Sequence, residues 1–189
     1  MFVFFLASLI CTLAACDSAP RDSLVGPWKI EPDDQLSKET ITLWFRRDNG
    51  TEYSNTMSYT LNSNGLLEIE KGRDHIVFFS GGIDHHLTDK REKFILSHKD
   101  QIKIRRMIGR LRPEKLSNEV PFSLPQGCTY TFDSRAWSGA IFERGKLGGA
   151  FIFQPDCKGK GADKVKMLLG SVMATLPPVL GSADFLRNH

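Results

Sequence analysis

The sequence lacks the motifs on which catalysis, metal binding and nucleic-acid binding usually depend. No serine lies in a GxSxG turn, and neither Cys128 nor Cys157 belongs to a CxxC pair or adjoins a histidine. The formal net charge of +3 is too small to indicate nucleic-acid binding, and no zinc-finger or RNP motif accompanies it. We therefore expect a protein that is not an enzyme, holds no cofactor and does not bind nucleic acid.

The sequence also lacks a hydrophobic run long enough to cross a membrane. Its longest apolar stretch, residues 2–15, has about 14 residues, whereas a transmembrane helix needs about 20. A stretch of this length that ends in small residues and is followed by the polar DSAPRDS is typical of a signal peptide. We expect residues 1–15 to be removed and residues 16–24 to act as a tether.

The end of this stretch carries a recognisable motif. Leu13, Ala14, Ala15 and Cys16 resemble the lipobox of bacterial lipoproteins. The resemblance implies that Cys16 is the lipidated first residue of the mature chain, anchored on the periplasmic side of a bacterial membrane. Asp17 resembles the signal that retains enterobacterial lipoproteins in the inner membrane, and it slightly favours that membrane.

Cysteines are few, and their positions predict one disulfide. Of the four, Cys11 lies in the signal peptide and Cys16 would carry the lipid, which leaves Cys128 and Cys157. In an oxidising periplasm we expect this pair to form a disulfide that closes a loop of about 30 residues. The bond requires that the two α-carbons lie within about 7 Å of each other.

Short strand-like segments separated by turn residues predict a β-rich first half. They are residues 41–45, 57–61, 66–70, 75–79, 93–97 and 101–107. The pairs Asn49–Gly50 and Asn64–Gly65 are typical of tight hairpins, because Asn and Gly accept positive φ angles. We predict an antiparallel β-meander over residues 25–109, curled into a barrel or a sandwich.

The second half is predicted to combine strands with a helix. A proline-rich connection, residues 110–127, leads to an α+β subdomain over residues 128–189, with strands expected at 128–132, 137–143 and 150–154. Apolar residues spaced i, i+3, i+4, i+7 predict an amphipathic helix over residues 162–176, which Pro177 stops. The predicted fold class is therefore β-rich α+β, with the C-terminal helix packed on an antiparallel sheet.

Two expectations about packing accompany this fold. A simple meander would place Cys128 and Cys157 near opposite strand ends, so either the topology is less simple or the disulfide is wrong. Large aromatic side chains are expected to fill the core. They are Trp44, Trp137, Phe142, Phe151 and Phe153.

Imidazole and carboxylate side chains cluster in residues 74–89, DHIVFFSGGIDHHLTD. The candidates for a metal site are Asp74, His75, Asp84, His85, His86 and Asp89. These groups suit zinc or copper, and two adjacent strands would bring the ends of the segment together. Because His85 and His86 are consecutive, they would point to opposite faces of a strand. The alternative is a solvated polar loop after a buried strand, and on balance we expect no metal.

A basic series provides the second candidate site. It consists of Lys103, Arg105, Arg106, Arg110 and Arg112. On a strand, Lys103 and Arg105 would line one solvent face while isoleucines at 102 and 104 enter the core. Such a face could bind an acidic protein or anionic lipid headgroups. The alternative is that these charges only provide solubility and protect a sheet edge.

A second resemblance concerns the first strands. Gly26, Pro27 and Trp28 resemble the GxW motif of lipocalins, and Thr88–Asp89 resembles their TD motif. The resemblance implies a small lipocalin-like barrel over residues 25–108, whose interior would bind an apolar ligand or simply be packed with side chains.

Compartment, size and missing chemistry together suggest two classes of function. The first is a membrane-tethered protein-binding module, similar in general style to the immunity proteins that neutralise toxins delivered into the periplasm, with a co-encoded toxin as partner. The second is a lipocalin-like carrier lipoprotein for an apolar ligand. A structural role in envelope assembly is a further alternative.

Overall fold

A computed structural model of the 189-residue chain describes residues 36–48, 50–77, 82–131 and 134–177. The predicted lipobox with Cys16 and Asp17, the tether and the GPW motif lie outside the described residues. So do residues 178–189.

Seven strands form one sheet. They are β1 (Thr40–Asp48), β2 (Tyr53–Leu61), β3 (Leu66–Val77), β4 (Gly82–Ile95), β5 (Phe122–Ser123), β6 (Ala136–Arg144) and β7 (Leu147–Phe153). Their order across the sheet is β4-β3-β2-β1-β6-β7-β5, and every pair is antiparallel except β5 with β7. Because β1 pairs with β6, one sheet joins both halves of the chain.

Two α-helices occur within the described residues. Helix α1 is His98–Ile108, continued by a 3₁₀ turn at Gly109–Leu111, and helix α2 is Ala162–Met173. The predicted α+β class, with a C-terminal helix, is confirmed. None of the described helices has the length and apolar character that crossing a membrane requires.

The predicted hairpins form where turn chemistry permits them. Gly65 adopts φ +85° between β2 and β3, and the Asn64 side chain accepts a hydrogen bond from the Leu66 amide at 3.0 Å. Between β1 and β2, Gly50 adopts φ +79° and donates its amide hydrogen bond to Asp48 at 2.8 Å. These turns set the antiparallel register of β1 with β2 and of β2 with β3.

One face of the sheet, which we call the inner face, packs against both helices. Alternate strand residues, such as Leu43, Met57 and Phe142, are buried in a single apolar cluster with residues of α1 and α2. The predicted stripe of α2 supplies Val165, Leu168, Leu169 and Val172 to this cluster. The buried residues of this cluster lie between residues 41 and 176, and Leu36, just before the sheet, is buried as well.

The strand predicted at residues 101–107 is wrong, because these residues form helix α1. Ser97 caps it, accepting a hydrogen bond from the Asp100 amide at 3.2 Å. Ile104 and Ile108 are one helical turn apart, and both are buried. The isoleucine–basic alternation therefore resembled a strand over too short a window to exclude a helix.

The barrel predicted for the first half is also wrong. The four strands of the meander belong to an open sheet, and no closed barrel forms from the described residues. Residues 75–77 continue β3 rather than starting a strand of their own, and residues 128–131 form no strand. The lipocalin-like barrel that the GxW resemblance implied is therefore not the arrangement of these strands.

The predicted disulfide is confirmed. Cys128 and Cys157 are bonded, with α-carbons 5.8 Å apart. The topology is less simple than a meander, because Cys128 lies in an irregular segment that runs beside the end of β7. A hydrogen bond holds this segment there: the Thr131 amide donates to the Gln154 side chain at 3.0 Å. This segment brings Cys128 next to the turn that contains Cys157.

Candidate functional site

The face of the sheet opposite the helices, which we call the outer face, carries polar side chains that the pairing of β1 to β4 brings side by side. The strand register places Trp44, Ser58, Glu70 and Arg91 in one row across β1 to β4. The next rows contain Arg46, Thr56, Gly72 and Thr88, then Asp48, Ser54, Asp74 and His86. No described helix contributes to this face.

At its β3–β4 side, the outer face holds a charged network that we call the His86 clamp. His86 Nδ1 lies 2.6 Å from Asp74 Oδ1, and His86 Nε2 lies 2.8 Å from Glu70 Oε1. Glu70 also accepts hydrogen bonds from Thr88 Oγ1 at 2.7 Å and from Arg91 at 2.8 and 2.5 Å. The clamp consists of Glu70, Asp74, His86, Thr88 and Arg91, and its two carboxylates contact one imidazole and one guanidinium.

Local sequence explains why the imidazole fits between two carboxylates on one strand. Glu70 and Asp74 are four residues apart on β3, with Gly72 between them on the same face. A Cβ at Gly72 would lie 2.7 Å from His86 Cε1, so only glycine leaves room for the ring there. The register shift beside Gly72 leaves Asp89 of β4 without an opposite residue, and Asp89 pairs instead with Arg73 at 2.9 Å.

Electrostatics favour the charged forms of His86 and Glu70 in the clamp by shifting the pKa of each. The hydrogen bond to Asp74 raises the pKa of His86, and Glu70 adds to this, against a smaller opposing effect of burial. Burial raises the pKa of Glu70, but hydrogen bonds from Thr88, Arg91 and His86 together outweigh it, so the net pKa is lowered. Both pKa shifts therefore strengthen the ionic contact between His86 and Glu70.

The geometry of the clamp suits a rigid charged surface better than proton transfer. In a catalytic triad one imidazole nitrogen must be available to a nucleophile while a carboxylate holds the other. In this protein carboxylates hold both nitrogens of His86. Beside it, the shielded hydroxyls of Ser54 and Thr56 on β2 have no hydrogen-bond partner among the described atoms.

The β1–β6 side of the outer face carries two tryptophans. Trp44 lies over Gly139, where a Cβ would come within 2.8 Å of the indole ring. The Arg46 guanidinium lies 5.6 Å from the centre of the Trp137 ring, and Tyr130 packs edge-on against that ring at 5.0 Å. Trp137 Nε1 donates to the Ser134 carbonyl at 2.6 Å. We call Trp44, Arg46, Tyr130 and Trp137 the aromatic patch.

The aromatic patch corrects one prediction about the core. Phe142, Phe151 and Phe153 are buried as expected, but Trp44 and Trp137 are only half-buried and lie on the outer face. Alternation within β1 would have indicated this, because Leu43 and Phe45 point inward and Trp44 lies between them.

The other histidines of the 74–89 segment lie on the opposite face from His86, as alternation predicted. The rings of His75 and His85 stack with centroids 4.8 Å apart, and Tyr53 packs against both. Glu52 lies 3.8 Å from His75. Residues 74–75 and 85–86 belong to paired strands, so the solvated-loop alternative is not what forms there. The side chain of Asp84 is outside the described part of the chain.

Metal binding finds no support in this region. Over the described ranges, no group of three or more histidine, cysteine, aspartate or glutamate side chains has an arrangement that could hold a metal ion.

The predicted basic series is divided between the interior and the surface. Arg105 is 4% exposed and donates to the carbonyls of Leu36, Glu39 and Asn62, each at 2.7 Å. Burial lowers the pKa of Arg105, and Glu39 opposes this. Arg112 is 1% exposed and pairs with the fully buried Glu39 at 2.7 Å. The predicted solvent face is therefore wrong for Arg105, and Arg112 is also removed from the surface.

The rest of the series shares one helix face. Lys103, Arg106 and Arg110 are exposed, and so is Lys99. Spacings of four, three and four residues place them along one side of α1 and its 3₁₀ extension, opposite Ile104 and Ile108. We call Lys99, Lys103, Arg106 and Arg110 the basic ridge; sequence reasoning missed Lys99 because it assumed a strand.

The described residues also form a shallow cavity of about 380 Å³ beside the disulfide. Its lining is mainly polar and includes Thr129, Gln154, Asp156 and Lys158.

A comparison with known protein families finds none that matches the chain, and a comparison with curated proteins finds no match either.

Proposed function

We propose that the protein is a lipid-anchored protein of the bacterial periplasm that acts by binding another protein through the outer face. The kind of partner we propose is a toxin delivered into the periplasm, which binding would neutralise. The observation that carries the proposal is the aromatic patch lying beside the His86 clamp on a face that no described helix covers.

The composition of the outer face supports protein binding. Tryptophan, tyrosine and arginine are the residues that most often dominate the binding energy of protein interfaces. The patch supplies all three within one contact network, since Trp137 touches both Tyr130 and Arg46. Half-buried side chains of this type bury further apolar area when a partner covers them.

Preorganisation of the clamp also favours this use of the surface. His86 and Arg91 are already held by Glu70, so binding would order few additional side chains there. Interfaces gain affinity when the entropy cost of ordering is small. A balanced arrangement of charges provides specificity for a partner of complementary pattern.

The anchor in this proposal is supported by the sequence. The LAAC motif ending at Cys16 resembles a lipobox, whose cysteine receives the lipid. The carrier hypothesis has less support, because it needs an apolar interior. The sheet is open, and the cavity beside the disulfide is lined mainly by polar residues.

The test is capture of a partner by the chain from residue 17 to 189, which retains every described element. We expect it to bind a secreted protein encoded by a neighbouring gene. Trp137→Ala and Trp44→Ala should each weaken binding by about 2 kcal/mol or more, roughly 30-fold, if they lie at the centre of the interface. Met167→Ala is the control, because Met167 is 74% exposed on α2, away from the outer face.

Two results would overturn the proposal. If no neighbouring gene encodes a secreted protein and the fragment captures no partner, protein binding as the function fails. If a partner binds but both tryptophan variants, with circular dichroism spectra like the parent, bind it unchanged, the outer face is not the interface.

A further inference from the structure

We propose that the helix layer, on the side of the sheet opposite the outer face, docks on an anionic membrane surface. The basic ridge on α1 would lie against lipid phosphates, and the outer face would then point away from the membrane. The inference builds on the proposed lipid anchor but concerns a different surface and a different ligand.

The geometry of α1 makes the ridge a continuous cationic surface. Lys99, Lys103 and Arg106 lie within about one third of the helix circumference, on the side opposite the buried Ile104 and Ile108. Arg110 extends this line into the 3₁₀ turn. All four are exposed, and no acidic residue occupies the same line of the helix.

The helix layer as a whole carries a surplus of positive charge, and most of that surplus belongs to the ridge. In residues 96–115 and 155–177, nine basic side chains are exposed, four of them in the ridge, against four acidic ones. Helix α2 contributes Lys164 and Lys166, and Met167 beside them is 74% exposed. Basic side chains together with an exposed apolar residue are typical of surfaces that lie on anionic bilayers.

The path of the chain brings this layer towards the proposed anchor. The first described residues, Leu36 to Glu39, are held against α1 by Arg105 and Arg112, and Leu36 packs on Gly109 next to Arg110. The chain from Cys16 therefore joins the domain beside the basic ridge. Cys16 and Leu36 are 20 positions apart, and the chain between them spans at most about 70 Å when fully extended.

These features favour lipid over an acidic protein as the ligand of the ridge. An anchored domain stays close to the bilayer, so even weak attraction per charge produces docking. Each lysine or arginine near an anionic membrane contributes about fivefold to binding, and several act together. The aromatic side chains that would anchor a protein interface lie instead on the outer face.

The experiment measures binding of the unlipidated chain 17–189 to vesicles by co-sedimentation. We expect it to bind vesicles of phosphatidylglycerol and phosphatidylethanolamine but not vesicles of phosphatidylcholine alone, and salt should weaken binding. Neutralising Lys99, Lys103 and Arg110 to Gln should weaken binding by about 100-fold. Arg106 is left unchanged because it makes other interactions.

The matched control removes the same charge elsewhere. Lys93, Arg135 and Lys146 are exposed and lie outside both helices, and their triple change to Gln should weaken vesicle binding by less than about fivefold. An equal loss in both triple variants, or no preference for anionic vesicles, would overturn the proposal. So would an acidic protein partner whose binding, rather than vesicle binding, is lost in the ridge variant. The fragment carries no lipid, so its binding to vesicles does not depend on whether Cys16 is lipidated in the full chain. Mass spectrometry tests the lipidation of Cys16 separately.

Discussion

Replacing Arg112 with methionine should strongly destabilise the protein. The Arg112 side chain is 1% exposed and donates to Glu39 through Nε at 2.9 Å and Nη2 at 2.7 Å. Glu39 is fully buried, so R112M would leave a carboxylate in the interior without its cation. Breaking one partner of a buried ion pair costs about 3–5 kcal/mol, and we expect a loss of that size.

A double variant separates loss of the pair from loss of packing. In E39L/R112M neither member of the ion pair remains, and apolar side chains of similar volume fill the site. Arg105 keeps its three carbonyl acceptors but loses the nearby charge of Glu39. Such replacements are often close to neutral. Arg112 Nη1 also donates to the Pro113 carbonyl at 2.8 Å, and losing that bond leaves a residual cost of about 1 kcal/mol. The double variant should therefore be more stable than either single variant.

Urea unfolding of the chain 17–189, followed by circular dichroism, provides the measurement. The free energies of unfolding of the parent, R112M, E39L and E39L/R112M form a double-mutant cycle. R110M is the matched control, because Arg110 is exposed two residues away and should change stability by less than about 0.5 kcal/mol. A loss below about 1 kcal/mol in R112M, or a double variant as unstable as the summed single losses, would refute the buried ion pair.

Three further predictions concern the disulfide, the clamp and the anchor. Changing Cys128 and Cys157 to alanine should cost about 3–4 kcal/mol in the same urea assay, because the bond closes a loop with a sequence separation of 29; unchanged stability would mean that the bond does not form in the protein. NMR titration should place the pKa of His86 above its ordinary value of 6.5, since its hydrogen bond to Asp74 raises it. The stability advantage of the parent over H86Q should then be complete below pH 6.5 and decline as pH rises through the raised pKa, and an advantage that grows with pH would contradict the clamp. Mass spectrometry of the membrane-extracted chain should find lipid on an N-terminal Cys16, and cleavage at any other position would disprove the anchor.

The buried arginines show how one error in secondary structure altered the expected site. Assigned to a strand, Lys103 and Arg105 share a face; in helix α1 they lie about 200° apart, one exposed and one buried. The same helix joins Lys103 to Lys99 and Arg106 in the basic ridge. The sequence therefore identified the basic residues of this segment. Which of them share a face depended on whether the segment has helical or strand periodicity.

The candidate site on the outer face was only partly accessible to sequence reasoning. Alternation placed His85 and His86 on opposite faces of a strand. Two adjacent strands were also expected to bring the ends of residues 74–89 together. The partners of His86 were not predicted: Glu70 and Asp74 reach it only because β3 and β4 pair in one register, with a register shift beside Gly72. A sequence pattern shows which residues alternate, but it does not show which strands become neighbours.

Local physical chemistry in the sequence determined the turns at Gly50 and Gly65, the strands they connect and the amphipathic helix α2. It also determined that Cys128 and Cys157 could pair, as the one cysteine pair left after the signal and lipobox are assigned. Tertiary structure decided the pairing of β1 with β6, the open sheet and the burial of Arg112 against Glu39. These depend on contacts between residues far apart in the sequence: Arg112 and Glu39 are 73 positions apart, and the β1–β6 pair joins Thr40 to Glu143. Such contacts form only when the whole chain has folded, because burial compensates their entropy cost collectively and not within any local segment.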